Sequence, residues 1–163
     1  MKKTIFSLIV VLLLIATAAA AGADPFVGRW VLNVQHSRYP AGTCPKSMAI
    51  HMEPTEKGIR YRSDTTYNNG ASTYSQYTVD YDGKQAIVMG ARGMMLPVFL
   101  RRIDSNTVVA SYTKELQVVA TSRRVVSKDG RLMTVTTTSK DESGKSVTSV
   151  AVFDRADIAR SVR

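Results

Sequence analysis

A chain of 163 residues with 22 basic and 13 acidic side chains has a formal charge of +9, with one cysteine and two histidines. A single domain of this length buries on the order of two-thirds of its chain surface, and the size excludes a multidomain enzyme. One cysteine excludes an internal disulfide, so packing alone must hold the fold.

The first segment reads as a secretory leader. Lys2 and Lys3 form a basic head, Ile5–Ile15 is almost wholly apolar, and Ala21-Gly22-Ala23 supplies small residues for cleavage. The apolar run is too short to span a bilayer, so residues 1–23 are expected to be a signal peptide, with no stable membrane insertion. Cleavage after Ala23 removes two lysines and no acid, leaving 140 residues at a net charge of +7. The product is expected to be exported by a Sec-type route, to the periplasm or the medium. One domain is expected over 24–155, with a short tail over 156–163. Cys44 lies far beyond the cleavage site, which argues against a lipid anchor; it reads as a loop cysteine, the alternative being a reactive thiol.

Ten candidate strands follow in order: Phe26–Val34, Met48–Glu53, Ile59–Thr66, Thr73–Tyr81, Gln85–Val88, Pro97–Asp104, Val108–Thr113, Val118–Ser127, Leu132–Ser139 and Ser146–Asp154. Between them lie tight-turn sequences such as Asn68-Asn69-Gly70, Asp82-Gly83, Asp104-Ser105-Asn106 and Asp129-Gly130, which favour positive φ or Asx-type hydrogen bonds. Short strands joined by such reversals predict an all-β fold, a single antiparallel up-and-down barrel of about ten strands. Alternation assigns faces. Trp30, Leu32 and Val34 share one side, as do Met48, Ile50 and Met52. Ile59, Tyr61, Ser63 and Thr65 form another inner row, and Tyr77, Val79 and Tyr81 a third. Hydroxyls on these inner rows are costly to bury unpaired, so the lining predicts a wet or liganded cavity rather than a filled core.

Pro25-Phe26-Val27-Gly28-Arg29-Trp30-Val31-Leu32 resembles the Gly-x-Trp opening of lipocalins and fatty-acid-binding proteins, the calycin group of barrels. Ten strands are similar to the fatty-acid-binding-protein plan. The mature chain also resembles small secreted bacterial lipocalin-like proteins, through Tyr81-Asp82-Gly83-Lys84, Leu100–Val108, Ser122–Gly130 and Met133–Thr138. The resemblance implies a basic residue laid across Trp30 at the closed base, and Arg155 matches that position. It departs where fatty-acid-binding proteins hold a carboxylate with an Arg-x-Tyr pair, because Ala151 and Phe153 stand there. Pro40, Gly42 and Pro45 replace the two portal helices with an expected irregular lid.

Catalytic signatures are missing. No His-Glu-x-x-His, Gly-x-Ser-x-Gly or phosphate loop occurs, and most carboxylates sit in turns, so the chain is not expected to be an enzyme or to carry a cofactor. His36 heads the lid, where a haem or metal ligand is the alternative to a solvated side chain. His51 points outward beside Arg60 and Arg62; acids interleave with these bases and no aromatic is expected on that face, so nucleic acid is not an expected partner. Met89, Met94 and Met95 are expected to plug a barrel end or to form an adaptable rim.

Two adjacent pairs, Arg101-Arg102 and Arg123-Arg124, supply the strongest polar expectation. Successive side chains on a strand face opposite ways, so one arginine of each pair should point inward. The apolar neighbours split evenly between the two parities and do not choose; Arg102 and Arg124 are taken as the inward pair, the alternative being that a bulge or the mouth lets both reach solvent. The candidate ligand contacts are Met52, Tyr61, Ser63, Tyr77, Tyr81, Arg102, Tyr112 and Arg124, with Trp30 and Arg155 closing the barrel. The expected partner is a small hydrophobic or amphipathic ligand, with its acidic end on an inward arginine. The competing reading is an envelope protein with a filled barrel that acts through protein contacts.

Overall fold

Every expected strand forms, and each pairs antiparallel with its sequence neighbours. The computed structural model describes residues 23–141 and 143–156; the expected signal peptide up to Gly22 and the expected tail from residue 157 lie outside them. The strands are β1 (Gly28–Leu32), β2 (Ser47–Pro54), β3 (Gly58–Thr66), β4 (Ser72–Asp80), β5 (Asp82–Gly90), β6 (Met95–Asp104), β7 (Thr107–Lys114), β8 (Gln117–Val126), β9 (Leu132–Lys140) and β10 (Ser146–Arg155). Pairing of β1 with β10, Trp30 opposite Arg155, closes the sheet into a barrel. Closure leaves no long free edge for aggregation.

Strand direction alternates, so hairpin turns sort to two ends. The β2–β3, β4–β5, β6–β7 and β8–β9 turns share one end with residues 24–27. The other turns and the long β1–β2 loop share the opposite end. The first end is filled: Phe26, Trp30, Met52, Ile59, Val108, Val126, Met133 and Phe153 are all at most 2% exposed. Burying such side chains contributes roughly 1.5–3 kcal/mol each before chain entropy is charged against them. Gly58 is required at the β2–β3 turn, since a Cβ there would lie 2.0 Å from the Val79 carbonyl oxygen.

Two local expectations are corrected. β1 is shorter than predicted: Phe26 is buried from a turn in which Val27 N–H donates to Asp24 O at 3.0 Å. After Leu32, Asn33 caps a 3₁₀ turn over Val34–His36 by accepting from His36 N–H at 3.2 Å, which leaves Val34 exposed rather than inside. The segment after it runs as an irregular loop, as its prolines dictate, tied down by the Arg38–Val150 bridge. Cys44 is half-buried there with its thiol 3.6 Å from Pro45 O.

Candidate functional site

The open half of the barrel encloses a cavity of about 480 Å³. β2, β3 and β4 supply Met48, Ile50, Tyr61, Ser63 and Ser75; β7–β10 supply Tyr112, Ser122, Arg124, Val135, Thr137 and Phe153; Tyr39 and Met94 stand at its mouth. Alternation produces this lining, because Ser122, Arg124 and Val126 are buried while Arg123 between them is exposed. The expectation that Arg124 points inward holds, and no bulge releases it.

Arg124 is 3% exposed, and its Nη2 donates to Tyr112 Oη at 3.0 Å. Its guanidinium carbon lies 4.8 Å from the Tyr61 ring centroid and 5.9 Å from that of Tyr77; the two rings stack at 4.6 Å. Electron-rich ring faces partly replace the water that the cation has lost. Tyr77 Oη faces the guanidinium but has no hydrogen bond of good geometry. Among the described residues, the electrostatic neighbours that act on Arg124 are Tyr77, Tyr112 and Tyr61, with no carboxylate among them. A guanidinium stays protonated at any physiological pH, so this is a fixed buried charge beside a cavity. Neighbouring hydroxyls satisfy each other: Ser63 pairs with Ser75 at 2.9 Å and Ser122 with Thr137 at 2.7 Å.

Arg102 also points inward, yet it does not line the cavity. It lies at the far end of β6, on the closed side, where Nη2 pairs with Asp24 at 2.7 Å and Nη1 donates to Ser105 O at 3.0 Å. Its guanidinium lies 3.9 Å from the Tyr81 ring centroid, and Tyr81 Oη donates to Asp24 Oδ2 at 2.7 Å. Arg102 and Tyr81 therefore belong to a polar plug around Asp24, a residue the sequence reading passed over. Met52 is likewise packed into the closed end. Of the candidate contacts, Tyr61, Ser63, Tyr112 and Arg124 line the cavity, and Tyr77 lies beside Arg124 under them. Tyr39, Ser122 and Thr137 were missed, although Ser122 shares the parity of Arg124.

Trp30 and Arg155 meet as expected. The guanidinium lies 4.2 Å from the indole centroid and donates to the carbonyls of Gly130 (2.6 Å), Val27 (2.7 Å) and Pro25. Trp30 Nε1–H donates to Phe26 O at 2.9 Å.

A second concavity, about 510 Å³, lies outside the barrel over β2–β5. Its arginines are already paired, Arg60 with Glu53 at 3.1 Å, and the His51 ring lies 3.8 Å from the same carboxylate. Arg62 pairs with Asp64 at 2.8 Å and lies 5.5 Å from the Tyr74 ring, so one aromatic does stand on the outer face, contrary to expectation. Paired, solvated charges offer a ligand little, and the inner cavity is the stronger candidate. Among the described residues, no group of three or more His, Cys, Asp or Glu is placed to hold a metal, and His36 is exposed.

Burial raises the pKa of Tyr61 and Tyr77, well above the ordinary value for Tyr77. Burial raises Tyr39 to about 12, and burial with the adjacent Asp24 raises Tyr81. A raised phenol pKa in the fold means stability that is complete below about pH 10 and lost as pH rises through the folded values. Phenolate absorbance should therefore show these tyrosines ionising late, together with loss of the near-ultraviolet signal of the fold. Full ionisation near pH 10 with the barrel intact would refute their burial.

A closed ten-stranded antiparallel barrel of this kind is a calycin-like fold, with the strand number of the fatty-acid-binding-protein plan. Among solved structures the chain is similar to zebrafish ileal bile-acid-binding protein complexed with cholic acid, at 11% identity over 81% of this chain and 99% of that one, TM-score 0.53. It is also similar to a Schistosoma mansoni fatty-acid-binding protein in complex with arachidonic acid, at 14% identity over 81% and 96%, TM-score 0.55. At such identities the likeness is one of fold. No protein-family model matches the chain, and no curated protein matches it by sequence.

Proposed function

We propose that this chain is a non-catalytic, exported binding protein that holds a small amphipathic anion in the open half of its barrel. The observation that carries the reading is Arg124, a cation buried beside a cavity with phenols around it and, among the described residues, no carboxylate to neutralise it. Such a charge is costly to keep, and a ligand carboxylate or similar oxyanion would repay it through a two-pronged hydrogen bond. Met48, Ile50, Val135 and Phe153 would pack the apolar body. A cavity of this volume suits one small molecule. The similar structures carry cholic and arachidonic acids, which agree with this ligand chemistry without identifying the one used here.

A fluorescent medium-chain carboxylate and its methyl ester test the reading, titrated against wild type and Arg124→Met. The variant should bind the carboxylate about 10–100-fold more weakly, the worth of a charge-assisted hydrogen bond, and the ester within about twofold of wild type. Equal losses would remove Arg124 as the head-group anchor, and no binding of either probe by wild type would remove the carrier reading. Export is read from the native N-terminus, Asp24 if the leader is cleaved and Met1 if it is not.

A further inference from the structure

Apolar side chains crowd the rim of the open end without being buried. Leu116 is 100% exposed, Met95 69%, Val118 58% and Met94 45%. Topology gathers them, since Met94 and Met95 follow the β5–β6 turn while Leu116 and Val118 belong to the neighbouring β7–β8 hairpin. Met94 also lines the cavity mouth.

The β7–β8 tip is strained. Glu115 and Leu116 have φ of 50° and 64°, both in the left-handed region that crowds a Cβ. Two-residue hairpin turns of this geometry ordinarily take Asn-Gly or Asp-Gly. A large apolar side chain here strains the turn and contributes no packing, so foldability does not account for it. An observed outlier of that kind is grounds for seeking a function at the tip.

Charge is also uneven. The open end carries Arg38, Lys46, Arg92, Lys114, Lys140 and Lys145, all exposed, against Glu115 and Asp141 among the described residues. At the closed end, Glu56, Asp82, Asp104 and Asp129 offset Lys57, Lys84, Lys128 and Arg131.

The geometry points to an anionic lipid surface as the partner of this rim, with Leu116 and Met95 entering the acyl boundary and the basic ring meeting the headgroups. Single apolar residues on turn tips suit a soft surface, whereas a stable protein interface requires a contiguous face of about 800 Å². Shallow apolar insertion combined with cationic attraction is how peripheral proteins hold such a surface. The cavity mouth then faces the bilayer. Delivery of a ligand from that position rests on the carrier reading; docking does not.

Cosedimentation of the ligand-free native protein with phosphatidylglycerol–phosphatidylcholine vesicles, and with phosphatidylcholine alone, tests docking. Binding should require the anionic lipid and fall steeply between about 50 and 300 mM salt as charges are screened. Leu116→Asn should weaken it about tenfold, the worth of a partly inserted side chain. Asparagine tolerates the left-handed region, so this variant should melt no lower than wild type and bind the soluble carboxylate probe unchanged. Wild-type protein that ignores anionic vesicles, or Leu116→Asn and Met95→Gln variants that bind them fully, would overturn the inference. Self-association lost in those variants, without vesicle binding, would assign the rim to a second copy of the chain and overturn it equally. Probe binding measured without vesicles keeps the fate of the carrier reading separate.

Discussion

Trp30→Ala should lower stability by about 3–5 kcal/mol, the range for emptying a buried aromatic site. For a domain of this size that is a fall in melting temperature on the order of 10–20 °C. Trp30 is fully buried and ties three pieces of chain together. Its ring carries Arg155 from β10, its Nε1–H holds the Phe26 carbonyl, and its backbone pairs with β2 at Ile50. Removing the indole also removes the face on which the guanidinium rests, a contact worth roughly 0.5–2 kcal/mol. Trp30→Phe separates the hydrogen bond from the packing: it keeps most of the volume and loses the 2.9 Å hydrogen bond, so it should cost much less than alanine. Thermal unfolding followed by circular dichroism measures both variants. An alanine variant that melts with wild type would show that the closed end does not depend on Trp30.

The Trp30–Arg155 pairing was legible because it needs only a resemblance and a count of strands. All ten strands were legible too, since turn residues such as Asp82-Gly83 and Asp129-Gly130 punctuate period-two alternation. Parity also survived, with Arg102 and Arg124 both turning inward. Depth along the barrel axis did not follow from parity. Arg102 ends β6 beside the Asp104-Ser105-Asn106 turn, and strand direction alternates, so that turn belongs at the end where Trp30 lies. Following direction as well as parity would have separated the two arginines. Asp24 was harder to see, because it adjoins the expected cleavage site and its partners Tyr81 and Arg102 lie 57 and 78 residues away. Tyr39 reaches the cavity from an irregular loop, where no periodicity assigns a face.

The two inward arginines should respond to substitution with opposite signs. Arg102 is held by Asp24, which is itself largely buried, and it covers the Tyr81 ring. Arg102→Met would leave that carboxylate short of a donor, costing about 1–3 kcal/mol, toward the lower end because the pair keeps some contact with solvent. Arg124 has lost its water without gaining a counter-charge among the described residues, and methionine, though shorter, comes near its volume without a charge to desolvate. Replacing a buried ionic group by an apolar one of similar volume is often neutral or stabilising by about 1–4 kcal/mol, so Arg124→Met should raise the melting temperature of the ligand-free protein. The hydroxyl left by the guanidinium is on Tyr112, which is only partly buried and can turn to water. A gain in stability together with a loss of carboxylate binding would mark Arg124 as a charge kept for its ligand, the usual trade between stability and function. Chemical denaturation of both variants without ligand decides the matter. A drop for Arg124→Met as large as that for Arg102→Met would make Arg124 a structural residue, held by its tyrosines for the fold alone.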